Sequence, residues 1–236
     1  MLQPLSRTHR TILLIGASRG LGLGMAEEFA RRGWHVVGTV REGPRTALHD
    51  LADRHPNRIM VETVDITRPD QIVSLRERLS DRQFDMLFIN AGTTNLQQEI
   101  AGEIAIDEYA RVMDTNALGP MRVIERLQHL VRADGLIGVM SSGQGSITNN
   151  TNGLREVYRS SKAALNQLVR SYSARHAGQP RALVLLAPGW IRTELGGPDA
   201  PYGLEESVPL LVDVLLGQQG KPGLAYLDRQ GNTVPW

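Results

Sequence analysis

The chain has 236 residues, a formal net charge of +1 and no cysteine. This length suits one large α/β domain with a substantial core, and we expect residues 1–236 to form a single domain. The near-neutral charge gives no reason to expect a nucleic-acid or membrane partner. The absence of cysteine excludes disulfides and thiolate chemistry.

Other features of the composition exclude further classes of protein. No apolar run approaches the length of a membrane-spanning helix, and residues 1–10 lack the character of a signal peptide. The six histidines are dispersed, so no metal site is expected. We therefore expect a soluble, cytoplasmic protein.

Strand-like and helix-like runs alternate along the chain. The patterns predict a strand at 11–15, a helix at 21–32, a strand at 35–40, a helix at 45–53, a strand at 58–64, a helix at 69–81, a strand at 84–90, a helix at 107–131 kinked at Gly119-Pro120, a strand at 135–140, a helix at 155–177, a strand at 181–187, a helix at 205–216 and a strand at 224–227. Such alternation is typical of parallel strands joined by right-handed crossovers.

We therefore predict an α/β fold: a single doubly wound, mostly parallel, Rossmann-like sheet with helices on both faces. Ligands bind at the carboxyl ends of the strands in such sheets. The loops at about 143–157 and 194–208 follow strand ends and are the expected substrate loops.

Three glycines, Gly16, Gly20 and Gly22, lie between the first predicted strand and the first predicted helix. Glycine permits positive φ and close approach to a pyrophosphate, and a helix N-terminus offers unpaired N–H groups. The spacing differs from the Gly-x-Gly-x-x-Gly dinucleotide fingerprint. A purely structural turn is therefore the alternative to a phosphate loop.

The end of the second predicted strand indicates which cofactor to expect. Sites for NAD commonly have a carboxylate there, but this strand ends Thr39-Val40-Arg41, with no acid before Glu42. Arg41, together with Arg19 in the glycine loop, matches a 2′-phosphate. We expect NADP(H) in preference to NAD(H); the alternative is that both arginines are solvated surface groups.

Tyr158 and Lys162 are four residues apart on a predicted helix and therefore share one face. An ammonium beside a phenol favours the phenolate and makes the phenol a readier proton donor. An accidental helical pair is the alternative. The chain has only one other lysine, Lys221, against 24 arginines, which argues against accident.

Ser142 follows the fifth predicted strand, where a hydroxyl can stabilise a substrate oxygen. Ser146 is the alternative for this role, because it lies closer to Tyr158 in the chain. We favour Ser142, whose position is fixed by the strand end.

These motifs resemble the short-chain dehydrogenase/reductase family in order and location. The resemblance rests on Gly16-x-x-x-Gly20-x-Gly22, Asn90-Ala91-Gly92, Asn116, Ser142, Tyr158-x-x-x-Lys162, and Pro188-Gly189 with Thr193, and it extends over residues 11–236. Ile15 stands where the family usually has a threonine. The long loop before Tyr158, the sequence Tyr158-Arg159-x-Ser161-Lys162 and residues 188–197 are similar to those of a subgroup that contains carbonyl reductases and a bacterial signalling protein.

The resemblance implies a role for each matching position. Tyr158 would be the general acid/base, Lys162 would hold the cofactor ribose, Ser142 would bind the carbonyl oxygen, and Asn116 would anchor a water that links Lys162 to solvent. The implied cofactor-binding residues are Gly16, Ser18, Arg19, Gly20, Leu21, Gly22, Arg41, Asp65, Ile66, Asn90, Ala91, Gly92, Tyr158, Lys162, Pro188, Gly189, Ile191 and Thr193.

The expected function is NADPH-dependent reduction of a small carbonyl compound, or the reverse oxidation of an alcohol. A cofactor-binding signalling or regulatory protein without significant turnover is the alternative. Function resides in the site rather than in the fold, and the presence of Ser142, Tyr158 and Lys162 favours the enzyme. The resemblance also implies a homodimer or homotetramer.

Overall fold

A computed structural model describes residues 10–96 and 98–236. Its strands are β1 Thr11–Ile15, β2 His35–Val40, β3 Ile59–Thr63, β4 Phe84–Ile89, β5 Val131–Met140, β6 Ala182–Ala187 and β7 Gly223–Asp228. Its helices are α1 Gly20–Arg31, α2 Ala47–Arg54, α3 Pro69–Arg78, α4 Ile106–Met113, α5 Gly119–Leu127, α6 Glu156–Arg175 and α7 Leu204–Gln218.

The seven strands form one sheet in the order β3-β2-β1-β4-β5-β6-β7, and each neighbouring pair is parallel. The strand order reverses between β1 and β4, which makes their carboxyl ends the switch point where such sheets bind ligands. The predicted Rossmann-like fold is confirmed.

Two hydrophobic cores cover the two faces of the sheet, because successive strand residues point to opposite sides. In β1, Leu13 and Ile15 belong to the core that contains residues of α3, α5 and α6, whereas Ile12 and Leu14 belong to the core that contains residues of α1, α2 and α7. The helices therefore lie on both faces, as predicted.

The predicted helix at 107–131 is wrong in its interior and at its end. A π-helical turn, Asp114–Leu118, interrupts it before Gly119, and the helix ends at Leu127, followed by a short 3₁₀ turn. Pro120 does not end the helix, because the backbone remains helical through Leu118 and Gly119; its missing N–H removes the usual hydrogen bond to the Asn116 carbonyl, within the π-helical turn.

Strand β5 begins at Val131 and not at residue 135 as predicted. Phe84 pairs with Val131, but Met86 pairs with Leu136, so residues 132–135 form a bulge in the strand. The polar sequence of this bulge is typical of a turn, which explains the misplaced start.

Three other expectations concern segments of the chain. Helix α7 begins at Leu204, so the second predicted substrate loop ends before residue 208. Within residues 10–96 and 98–236, no helix has both the length and the hydropathy that a membrane crossing requires. The expectation about a signal peptide concerns residues 1–10, of which 1–9 lie outside the described residues.

Candidate active site

The glycine loop packs directly against the end of β4. Gly16 has a φ of +84°, and its carbonyl accepts a hydrogen bond of 2.8 Å from Asn90 Nδ2. A Cβ on Gly16 would lie 2.8 Å from the main chain of Ala91, and one on Gly22 would lie 2.1 Å from the Gly16 carbonyl oxygen. Gly16 and Gly22 are therefore required by the packing of the loop itself, whatever the loop binds.

The end of β2 packs against the glycine loop and places Arg41 at the carboxyl edge of the sheet. Gly16 N–H donates to Thr39 Oγ1 at 3.0 Å, and Ala17 N–H donates to the Thr39 carbonyl at 2.8 Å. Arg41 is exposed and makes no ion pair within the described ranges of the chain. Its cationic group is thus available to a ligand.

Arg19 contacts Glu194, so the glycine loop meets the loop that follows β6. Both side chains are largely exposed, and exposed ion pairs contribute little to stability. Next to them, a Cβ on Gly20 would lie 3.5 Å from the Thr193 side chain. The predicted phosphate loop and the predicted nicotinamide loop are therefore neighbours, and Arg19 has an exchangeable anionic partner.

Tyr158 and Lys162 lie on a buried face of α6, as their spacing predicts, and Tyr158 is 8% exposed. The Ser142 hydroxyl lies near the phenol. Burial raises the pKa of Tyr158, whereas the charge of Arg155 and the nearby Ser142 hydroxyl lower it. The phenol is thus kept protonated and is held beside a second hydroxyl.

Lys162 Nζ donates a hydrogen bond of 2.9 Å to the carbonyl of Met140 and lies 5.9 Å from the centre of the Tyr158 ring. The side chain is buried, and burial lowers the pKa of Lys162 to about 8. Because that pKa is close to neutrality, the ammonium can change its charge without extreme pH.

Asn116 lies in the π-helical turn and is fully buried. Its amide group donates to the Thr93 carbonyl and to Ser161 Oγ, and its Oδ1 accepts from Thr93 N–H at 2.8 Å. The side chain is therefore engaged with protein groups, which leaves its main-chain carbonyl for the water implied by the family resemblance. A Cβ on Gly92 would meet both Asn116 Oδ1 and Lys162 Nζ, at 3.4 and 3.6 Å.

The two candidate serines have different surroundings. Ser142 lies near the phenol of Tyr158, whereas Ser146 is buried and donates to the carbonyl of Trp236 at 3.4 Å. Ser146 Oγ also accepts from Asn149 N–H. This geometry supports Ser142 for the catalytic role and a structural role for Ser146.

The remaining predicted cofactor contacts lie at the expected edge of the sheet. Asp65 Oδ1 accepts two hydrogen bonds from Thr67, and the Ile66 side chain packs in the core against Gly119, so only the main chain of Ile66 can face a ligand. After β6, Pro188 and Ile191 are buried and Gly189 has a φ of +87°.

Sequence reasoning missed the groups that hold the serine segment in place. Ser141 donates to Asn166 Oδ1 at 2.6 Å, Asn166 donates to the Gly145 carbonyl, and Tyr226 donates to the Ser142 carbonyl. Asn166 lies four residues after Lys162, so helical spacing alone could have identified it. No local pattern marks Tyr226, which comes from β7.

The fold, together with the residues at the carboxyl edge of its sheet, is typical of nucleotide-dependent oxidoreductases. The glycine loop lies at the start of α1, where main-chain N–H groups can meet a pyrophosphate. Cations, Arg19 and Arg41, flank it, and the serine, tyrosine and lysine lie together beside the neighbouring strand ends. These residues fit a dinucleotide.

Comparisons with known proteins agree with this class. A family model described as enoyl-(acyl carrier protein) reductase matches residues 16–206. A Burkholderia multivorans structure described as a short-chain dehydrogenase/reductase with bound NADP is 60% identical, with a TM-score of 0.96, and the match covers 97% of this chain and 100% of that one.

Two further relatives represent the subgroup inferred from the sequence. A carbonyl reductase of Pseudomonas aeruginosa in complex with NADP is 35% identical, with a TM-score of 0.89 and coverage of 97% and 100%. The C-signal protein of Myxococcus xanthus is 38% identical over 154 residues, which are 64% of this chain and 92% of that protein. The chain belongs to the short-chain dehydrogenase/reductase family and is an oxidoreductase of that family.

Proposed function

We propose that the protein reduces a carbonyl compound with NADPH, or oxidises the corresponding alcohol with NADP⁺, and that Tyr158 is the general acid/base. The observation that carries the proposal is the cluster of a buried Tyr158, a buried Lys162 and a partly buried Ser142, in which the serine hydroxyl lies near the phenol. A protein that only binds the cofactor could use Lys162 to hold the ribose, whereas a phenol placed beside a second hydroxyl favours proton transfer to a substrate.

The nicotinamide cofactor, when bound, supplies the hydride. Ser142 and Tyr158 would both donate to the substrate oxygen, which stabilises negative charge on that oxygen as it develops. Tyr158 would then transfer its proton to the same oxygen. The charge of Lys162 would make the phenolate left behind less costly.

The preference for NADP over NAD is supported by charge. Arg41 is exposed at the end of β2 and has no carboxylate partner within the described ranges of the chain, and Arg19 has only an exposed one. Guanidinium groups pair well with phosphate oxygens. The bound NADP in two similar structures supports the same choice.

The test is an assay of aldehydes, ketones and diketones with NADPH and with NADH. We expect cofactor oxidation that depends on a carbonyl substrate and is faster with NADPH. The matched control is the Tyr158→Phe protein, which keeps the ring and lacks only the hydroxyl. Substrate-independent oxidation, or equal rates in the two proteins, would contradict the proposal.

A second candidate is a cofactor-binding signalling protein, which the similarity to the C-signal protein favours. The two candidates differ in their need for the phenol hydroxyl. If Tyr158→Phe abolishes turnover but leaves intact the cellular phenotype that depends on this gene, the signalling role is the biological one.

A further inference from the structure

Arg155 precedes α6 in a strained position. Its φ of 60° and ψ of 42° lie in the left-handed region, and every other positive φ in the described part of the chain belongs to a glycine. Strain of this kind persists only where the surroundings maintain it. A cation at a helix N-terminus also opposes the helix dipole. Neither the backbone nor α6 therefore explains an arginine here.

The Arg155 guanidinium stacks on the ring of Tyr158, with Cζ 4.6 Å from the ring centre. Nη2 donates to Thr94 Oγ1 at 3.0 Å, whereas Nε is buried without a hydrogen-bond partner. Among the residues that the structure describes, no carboxylate forms an ion pair with it. Burial lowers the pKa of Arg155, as expected for a cation without a counter-charge.

The nearby charged side chains do not neutralise Arg155. The Glu156 carboxylate accepts from Ala101 N–H at 2.9 Å, and Arg159 is a second cation, whose Nε donates to the Leu154 carbonyl. Nε is the buried donor of this half-buried guanidinium that lacks a partner, and an anion beside it would satisfy both the donor and the charge. The site beside the phenol therefore lacks one negative charge.

We propose that Arg155 binds a carboxylate of the substrate, so that the preferred substrates are oxo acids. The inference rests on the proposed function, because Tyr158 defines where the reacting carbonyl lies. A carbonyl oxygen bound to Tyr158 and Ser142 leaves the rest of the substrate close to the guanidinium that covers the phenol ring. Stacking occupies the face of a guanidinium and leaves its N–H edge to meet a carboxylate.

The test compares a carboxylate with its neutral ester, phenylglyoxylate and methyl phenylglyoxylate, as substrates with NADPH. The proteins are the native chain, Arg155→Gln, and Arg126→Gln as a matched loss of charge at an exposed position on α5. We expect kcat/KM of the native chain to favour the acid by at least about tenfold. Arg155→Gln should lose this preference, because its kcat/KM should fall at least about tenfold more for the acid than for the ester, and Arg126→Gln should behave like the native chain.

Two results would overturn the inference while the proposed function stands. The first is a higher kcat/KM of the native chain for the ester than for the acid. The second is an equal loss of both activities in Arg155→Gln, which would mean that Arg155 acts on Tyr158 alone. If neither compound is reduced, binding of phenylacetate and of phenylacetamide to the protein with NADP⁺ is measured by calorimetry. Loss of phenylacetate binding in Arg155→Gln, by at least about tenfold, would support the anion site without turnover. Equal binding to both proteins would overturn it.

Discussion

Lys162 Nζ donates a hydrogen bond of 2.9 Å to the carbonyl of Met140, the last residue of β5. Ser142 follows two residues later, so one strand end fixes both the lysine and the serine. Both partners of the bond are buried, and the Lys162 charge is therefore held away from water. This explains why the pKa of Lys162 falls to about 8.

The stability of the fold should depend on this lysine at alkaline pH. The pKa of Lys162 is about 8 in the folded chain against 10.5 without the protein environment. Between these values the unfolded chain binds more protons, so the free energy of unfolding rises with pH, by about 3 kcal/mol from this group. Urea unfolding below, within and above this window measures the effect.

The matched control for this pH effect is Lys162→Met, which removes the titrating group and keeps a long side chain. The difference in unfolding free energy between the native chain and the variant should shift in favour of the native chain as pH rises through the window. A difference that stays constant would mean that Lys162 titrates normally in the folded protein.

Tyr158→Phe should abolish most turnover and leave NADPH binding nearly intact, because only the hydroxyl is lost. We expect a rate decrease well above tenfold, which corresponds to a barrier increase of more than about 1.4 kcal/mol. Steady-state rates and cofactor titration measure the two effects. A variant that retained more than about a tenth of the native rate would exclude Tyr158 as the proton donor.

Ser142→Ala and Ser146→Ala should have opposite effects. Ser142 lies near the phenol and accepts one hydrogen bond, from Gln144 N–H, so its loss should lower kcat strongly and cost only about 0.5–1 kcal/mol of stability. Ser146 bonds to Trp236 and Asn149, so its loss should cost about 1–2 kcal/mol of stability and leave most of kcat. Turnover and urea unfolding of both variants check this, and the reversed ranking would exclude Ser142 from the catalytic role.

Much of the fold was predictable because its signals are local. The strands β1, β2 and β4 are short apolar runs, and Gly16 follows the first of them directly. The start of β5 was not predictable, since a bulge of polar residues at 132–135 has the composition of a turn. The π-helical turn at Asp114–Leu118 likewise has no sequence signal of its own.

The candidate site shows the same division. Tyr158 and Lys162 were identified by helical spacing within one element. The contact of Arg19 with Glu194 and that of Tyr226 with Ser142 join residues far apart in the chain, so only the fold brings them together. The left-handed backbone of Arg155 could not be inferred either, because such a conformation is typical of glycine.

Replacing glycine by alanine should have opposite effects on stability in the tightly packed glycine loop and at an open position of a helix. Gly16→Ala puts a Cβ 2.8 Å from the Ala91 main chain at a φ of +84°, so we expect a loss of stability of about 1–3 kcal/mol together with weaker cofactor binding. Gly217→Ala, near the end of α7 with nothing within 4 Å of the added Cβ, should stabilise the fold by about 0.5–1 kcal/mol. Thermal unfolding of both variants is the measurement, and equal stabilities would contradict the close packing of the glycine loop.

Cofactor choice can be tested at two positions that act in opposite directions. Arg41→Asp removes a cation and adds repulsion for a 2′-phosphate, so it should weaken NADPH binding strongly and NADH binding little. Glu194→Gln removes the competing partner of Arg19, so it should tighten NADPH binding by a few-fold at most, because exposed ion pairs are weak.

Dissociation constants for both cofactors, measured on the native chain and the two variants, distinguish the specific effect from a general one. A loss of folding stability would weaken NADPH and NADH alike, whereas loss of a phosphate contact affects NADPH selectively. Each charge-assisted contact with the phosphate contributes about 1.5–3 kcal/mol, so the effect of Arg41→Asp should be at least about tenfold. If the native chain binds NADH as tightly as NADPH, or if Arg41→Asp weakens both equally, the assignment of NADP is wrong.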